Sequence, residues 1–172
     1  AAIKLGDRWL VMTTDSHVVK PLIFPGGDIG RLAVAGTVND LAMMGGTEVL
    51  GLTFAVVMEE GFPLDTLAKV MASVRATCDE AGVAIVTGDT KVMGKGEVDG
   101  LVLNTSGTAI TRRVIGNSGL RAGDRLIVSG TVGDHGFAVL AARTGLQLEG
   151  DLRSDAAPLG SLVRAILAAT DD

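Results

Sequence analysis

The sequence predicts a mixed fold of strands and helices in two units, and three observations carry that prediction. Glu48–Glu59 contains a near-continuous apolar run, VLGLTFAVVM, which suits a strand inside a sheet. From Pro63 to about Ala81, the residues Leu64, Leu67, Val70, Met71, Val74, Cys78 and Ala81 fall on one helical stripe. From Thr111 to Gly123 (TRRVIGNSGLRAG) the pattern turns polar and turn-like, which divides the chain into residues 1–114 and 115–172.

Composition narrows the function classes. A chain of 172 residues, 47% hydrophobic, can bury a real core and is not disordered. Its 24 glycines have no collagen-like period and read as tight turns and close backbone approaches. Only 3% of the chain is aromatic and there is no Tyr, so a base-stacking surface is not expected. A net charge of −5 with intermixed signs gives no long-range attraction for nucleic acid, although an acidic site would attract Mg²⁺. The single Cys78 excludes an internal disulfide and a multi-cysteine metal site, and a reducing cytoplasm is the natural compartment. No apolar run approaches the roughly 20 residues that span a bilayer, and the start of the chain has no signal-peptide pattern. Both ends read as cut.

Taken in order, WLVMTT (Trp9–Thr14) predicts a short buried strand whose end delivers Asp15 and His17 to a loop. Pro21 and Pro25 keep the next residues irregular, and Asp28 suits a helix N-cap. The helix expected from Ile29 to Met44 is apolar or small around nearly its whole circumference. It is therefore buried on most sides or lies against a partner subunit. Gly45-Gly46 ends it, and Gly82 caps the second helix. A third strand is expected over Val83–Thr87, a loop over Gly88-Asp89-Thr90-Lys91, and a turn around Gly94–Gly96. A fourth strand follows from Leu101 to Ile110. Beyond the boundary, the sequence predicts a strand at Asp124–Ser129, a glycine-rich loop at Gly130–Gly136, and helices over Phe137–Arg143 and Pro158–Ala169.

Three aspartates share one context. Asp15 and Asp89 each follow a buried strand, and Asp40 lies with Asn39 in an almost wholly apolar helix. Hard oxygen ligands from separate elements are what Mg²⁺ takes, completed by water and phosphate oxygens. Turn, cap and ion-pair roles also account for these aspartates, but burying Asn39 and Asp40 is costly without partners. Thr87–Lys91 suits phosphate through backbone amides, the Thr90 hydroxyl and the Lys91 charge, and also suits a plain polar turn. Gly26-Gly27 would let a phosphate approach the following helix N-terminus, or form a simple turn. There is no Walker A sequence and no Rossmann fingerprint. His17 and His135 stand on unrelated segments and make no zinc site. Cys78, in the middle of the helical stripe, reads as a buried, inert thiol.

The strings TTDSHVVKPLIFPGGDIGRLAVAGTVNDLAMMGG, EEGFP, AGVAIVTGDTKV, VSGTVGDHG and SDAAPL together resemble the HypE family of hydrogenase maturation factors. That family lies within the PurM-like, aminoimidazole ribonucleotide synthetase superfamily of ATP-using enzymes. The resemblance covers nearly all of the chain. The aspartate after the first strand, the Asn-Asp pair and GDT are shared across the superfamily, whereas PGGDIG, EEGFP and GDTKV are more specific to HypE.

The resemblance implies an α+β fold. A PurM-like N-terminal domain of mixed sheet and helices pairs with its copy across a two-fold axis, the sheets closing into a β-barrel with ATP in clefts at the interface. The incomplete start of an α/β C-terminal domain follows. It further implies that Asp15, Asp40 and Asp89 bind Mg²⁺, and that these residues with Asn39, Gly88, Thr90 and Lys91 hold ATP. Lys91 and His17 become the candidate catalytic residues. The implied reaction is an ATP-dependent dehydration: HypF places a carbamoyl group on the thiol of a C-terminal cysteine, phosphorylation turns the carbamoyl oxygen into a good leaving group, and the resulting thiocyanate gives its nitrile to iron held by HypC and HypD.

Members of that family are about twice this length. An N-terminal segment with a further acidic motif, most of the second domain and the reactive tail cysteine have no counterpart here, and Cys78 cannot stand in for that cysteine. The expectation is a dehydratase fragment without turnover by itself. Two alternatives accompany it: another superfamily enzyme such as thiamine-monophosphate kinase, or a non-catalytic dimerisation or docking module.

Overall fold

A computed structural model describes residues 1–146 and 150–170. The chain builds β1 (Ala2–Leu5), β2 (Arg8–His17), a ribbon of β3 (Ile23–Phe24) and β4 (Gly27–Asp28), α1 (Ile29–Met43), β5 (Glu48–Glu59), α2 (Leu64–Ala81), β6 (Ile85–Met93) and β7 (Leu101–Thr111). A 3₁₀ turn (Asn117–Gly119), α3 (Asp134–Thr144) and α4 (Gly160–Ala169) follow. Five strands form one mixed sheet in the order β1-β2-β7-β5-β6, antiparallel except for the parallel β5–β6 pair.

The sheet is covered by helices on one face. Along β7, Leu101, Leu103, Thr105, Gly107 and Ala109 are buried while their neighbours are half-buried, the period of two that one covered face imposes. Registers extend that face to Val11, Thr13, Asp15 and His17 of β2 and to Leu52, Phe54 and Val56 of β5. Against it pack Ile29, Ala33, Val34 and Val38 of α1, and Val70, Val74 and Cys78 of α2 close the core from behind. Burying each large aliphatic side chain contributes about 1.5–3 kcal/mol.

Small residues let the layers approach. A Cβ on Gly30 would lie 2.6 Å from the Val70 carbonyl oxygen and 2.8 Å from Val74, where α1 crosses α2. A Cβ on Gly107 would lie 2.8 Å from Leu41 and 3.0 Å from both Leu52 and Thr37, where α1 lies on the sheet. Asp28 is the N-cap of α1 as expected, accepting from Gly30 N at 2.7 Å and Arg31 N at 3.0 Å. Gly82, with φ +67, ends α2 in the left-handed conformation.

Three expectations are corrected. Asp15 and His17 are not in a loop: β2 continues through both, because β7 offers partners as far as Leu103. Gly88-Asp89-Thr90-Lys91 is not a loop either. It lies within β6, paired with Phe54–Val57. The strand expected at Asp124–Ser129 does not form. Leu126 and Ile127 are more than 90% exposed, with no strand beside them to satisfy their backbone groups.

The all-round apolar character of α1 is met by its own chain, through the sheet, α2 and α4. The strap at residues 156–159 adds polar contacts along the same helix. Gly30→Ala should lower stability by about 1–3 kcal/mol through overpacking, despite the roughly 1 kcal/mol that alanine gains in a helix. Equilibrium denaturant unfolding measures this, and unchanged or increased stability would contradict the close crossing.

Candidate functional site

The site grows from the seam between β2 and α1. Thr13, Asp15 and His17 share the helix-facing side of β2, and Gly36 and Asp40, one helical turn apart, look back at them. Gly36 has no side chain, and one there would sit 3.3 Å from His17 Cε1 and 3.8 Å from Asp15 Oδ2. The gap admits the imidazole, which is 6% exposed. His17 Nε2 lies 3.3 Å from Thr105 Oγ1 and 3.5 Å from Asp15 Oδ2, and Thr105 is hydrogen-bonded to the buried Thr37 of α1. A carboxylate facing Nε2 selects the tautomer with the proton on that nitrogen. Thr13 Oγ1 donates to Asp40 Oδ2 at 2.9 Å.

Asp15, against Gly36 and His17, and Asp40, against Thr13, therefore open on the same seam, and both are exposed. Burial pushes the His17 pKa below its ordinary value, and the two carboxylates pull against that shift without overcoming it.

Asp89 is not brought to this pair within the chain. β6 lies three strands from β2, roughly 14 Å at the usual strand spacing. Asp89 also shares the register of Ala55 and Asn104, which puts Thr87, Asp89 and Lys91 on the helix-free face. The Asp89 carboxylate caps the Thr90 N–H at 2.8 Å on an otherwise open strand edge. Among the described residues no three carboxylate, His or Cys groups gather as a metal cluster.

Asn39 points away from Asp40, and its side chain is engaged elsewhere. Nδ2 donates to the Ala157 carbonyl at 2.9 Å, and Oδ1 accepts from Leu159 N at 2.7 Å. Gly26, with φ +88, is seated against the Ser154 backbone, and Asp28 takes up amides at the start of α1. That place is therefore filled by protein groups where a phosphate approach had been one reading. His135 stacks edge-on against Phe24 at 5.2 Å, far from the carboxylate pair in the fold. Cys78 is 5% exposed, and burial raises its thiol pKa, which keeps it protonated and inert.

Sequence reasoning missed Thr13, Gly36, Thr37 and Thr105. The small residues of α1 and the alternation of β7 carried the signal, but only the seating of α1 on β2 and β7 shows that Gly36, Thr37 and Thr105 enclose His17 and that Thr13 holds Asp40.

Comparison with known proteins matches residues 1–111 to AIR synthase related protein, N-terminal domain. Carbamoyl dehydratase HypE of Azotobacter vinelandii is 48% identical over 174 residues, covering 100% of this chain and 51% of that protein. The structure resembles a chain of a HypE–HypF complex with a TM-score of 0.92 and 46% identity, over 99% of this chain and 56% of that one. It also resembles hydrogenase maturation protein HypE in complex with ATP, with a TM-score of 0.79 and 42% identity, over 92% and 48% of the two chains. The chain spans about half the length of the curated relatives it matches. No helix among the described residues is long and apolar enough to cross a membrane.

The buried imidazole sets a pH dependence. With its folded pKa below the unfolded value of 6.5, His17 costs no stability above that value. Stability is lost as pH falls through 6.5 toward the folded pKa, where the unfolded chain takes up the proton first. Thermal midpoints between pH 7.5 and 5 should fall less steeply in His17→Gln than in the unmodified chain, and parallel slopes would contradict a neutral buried His17.

Proposed function

Because the chain belongs to the AIR synthase related protein family, we propose that it is the nucleotide-binding half of a cytoplasmic carbamoyl dehydratase of the HypE type. Residues 1–114 act as the ATP-binding and dimerisation unit, and residues 115–172 begin a second unit. The observation that carries this reading is the placement of Asp15 beside Gly36 and of Asp40 on Thr13 along one β2–α1 seam, in a chain 48% identical to a carbamoyl dehydratase along its whole length.

The donor set fits the cation that ATP requires. Mg²⁺ is commonly held by one or two carboxylates together with water and phosphate oxygens, and an exposed pair of aspartates backed by a neutral histidine is such a set. When bound there, Mg²⁺ would neutralise charge developing on the transferred phosphoryl group. The chain's own residues do the rest. Thr13 orients Asp40 through its hydroxyl, and His17, wedged under Gly36, fixes Asp15 from behind.

Gly88, Asp89, Thr90 and Lys91 serve the same nucleotide from a second copy of the chain. Support comes from the sheet. Its helix-free face is lined by small polar groups tied to one another, Ser106 to Thr14 at 3.0 Å and Asn104 to Ser16 at 2.8 Å, and β6 leaves an unpaired edge beside it. A homodimer that wraps the two sheets around that face, with the β6 edge of one copy against the margin of the other, would carry the Asp89–Lys91 stretch toward the partner's seam, where Lys91 would offset phosphate charge. In the complete protein, ATP transfers its γ-phosphoryl group to the oxygen of a cysteine S-thiocarbamate, releasing ADP and one of the two N–H protons. Loss of phosphate and a proton then leaves the thiocyanate. HypF supplies the carbamoyl group and a HypC–HypD complex takes the nitrile.

Calorimetric titration of Mg²⁺–ATP tests the site. Asp15→Asn, Asp40→Asn and Asp89→Asn should each raise Kd about tenfold or more, some 1.4 kcal/mol per tenfold step. An equimolar mixture of Asp15→Asn and Asp89→Asn chains, exchanged into mixed dimers, should recover unmodified affinity in about a quarter of the sites, since one of the two sites in each mixed dimer is intact. Variants that bind like the unmodified chain would remove the carboxylates from the site. A mixture no better than its parents would remove the second copy.

A further inference from the structure

Three motifs singled out by the sequence remain outside the carboxylate site: PGGDIG, GTVGDHG and SDAAPL. The structure joins them at one place. Ser154 N donates to the Pro25 carbonyl at 2.9 Å, and its backbone fills the space that a side chain on Gly26 would need, 2.6 Å from a Cβ there. His135 stacks on Phe24, its Nδ1 lies 3.0 Å from Ser154 Oγ, and its backbone N–H donates to Asp155 at 3.1 Å. Arg31 Nε donates to the Ala156 carbonyl at 2.7 Å while its two terminal nitrogens grip Glu80 of α2 at 2.7 and 3.1 Å. Asn39, two turns further along α1, holds Ala157 and Leu159.

We infer that residues 154–159 are a strap whose two-point seat on α1, Arg31 and Asn39, fixes α3 and α4 to the helix that carries Asp40, and that Asn39 is a positioning residue rather than a nucleotide ligand. An amide offers a carbonyl acceptor and an NH₂ donor on separate atoms, whereas an ionised carboxylate only accepts. Asn39 spends one on a C=O and the other on an N–H two residues on, the pairing that a strand neighbour would give. Both ends of the amide are thereby committed to the backbone of the strap. Asn39 and Asp40, adjacent in sequence, point about 100° apart around the helix, so one holds the strap and the other faces β2. The aspect that concerns nucleotide rests on the proposed function, whereas the seat itself does not.

Hydrogen exchange followed residue by residue, with a Mg²⁺–ATP titration of the same samples, separates the two. Asn39→Ala should speed exchange of the Leu159 amide at least tenfold and leave Kd within about twofold. Asp40→Asn should raise Kd and leave Leu159 protected. Gly26→Ala, which displaces Ser154 without touching Asn39, should expose the same strap, and so serves if Asn39→Ala does not fold. Unchanged Leu159 exchange in both Asn39→Ala and Gly26→Ala would overturn the strap, and a Kd loss in Asn39→Ala equal to that of Asp40→Asn would overturn its assignment as a positioning residue. If the unmodified chain binds no Mg²⁺–ATP, the nucleotide reading fails by itself and the exchange data still decide the seat.

Discussion

Everything else in this molecule depends on how closely α1 lies on the sheet. The approach is made possible by absent side chains: Gly107 below, Gly30 at the crossing with α2, and Gly36 above His17. With ordinary side chains at those places the helix would stand off by the thickness of a methyl group, and the interior would lose dispersion contacts it cannot replace. The same proximity sets the chemistry. Because Gly36 yields its space, an imidazole fits beneath the helix, and because the helix is low, Asp40 comes within reach of Thr13 and of the field around His17.

The sheet then acts as a partition. Its helix-covered face holds the apolar core and, at the margin, the carboxylate pair. Its other face carries Thr14, Ser16, Asn104 and Ser106, which bond in pairs across the strands, together with Asp89 and Lys91. A β-strand turns alternate residues to opposite faces, so a short motif such as GDTK splits its side chains between two environments. Thr90 looks toward the helices while Asp89 and Lys91 look away. Helix α1 divides its work in a comparable way, with Asp40 toward β2 and Asn39 toward the strap, which is why one tightly packed helix can hold a site on one side and a neighbouring unit on another.

Much of the fold was legible from local pattern. The stripe of α2, the Asp28 cap, the Gly82 terminus and the apolar run of β5 lie where periodicity and capping chemistry place them. The errors have a common cause. Thr87–Lys91 contains residues that favour turns, yet β5 supplies a ladder and the segment stays extended. Asp124–Ser129 has strand-like residues and no ladder, and stays irregular. Strand formation depends on a partner, and a partner is not a local property of the sequence. Of the site, Asp15 could be singled out because it follows an apolar strand, and Asn39 and Asp40 because polar groups in an apolar helix are costly to bury, but that argument says only that a buried amide has partners, not which ones.

By itself, then, the sequence determined the helices, their caps and the residue types able to bind a cation, because these follow from spacing over a few residues and from side-chain chemistry. Only the tertiary structure decided which of them meet. Asn39 finds Ala157 and Leu159 more than a hundred positions away, His17 finds Thr105, and Asp89 is carried to the far face of the sheet. Register and the seating of a helix decide such meetings, and both are settled by the whole core at once.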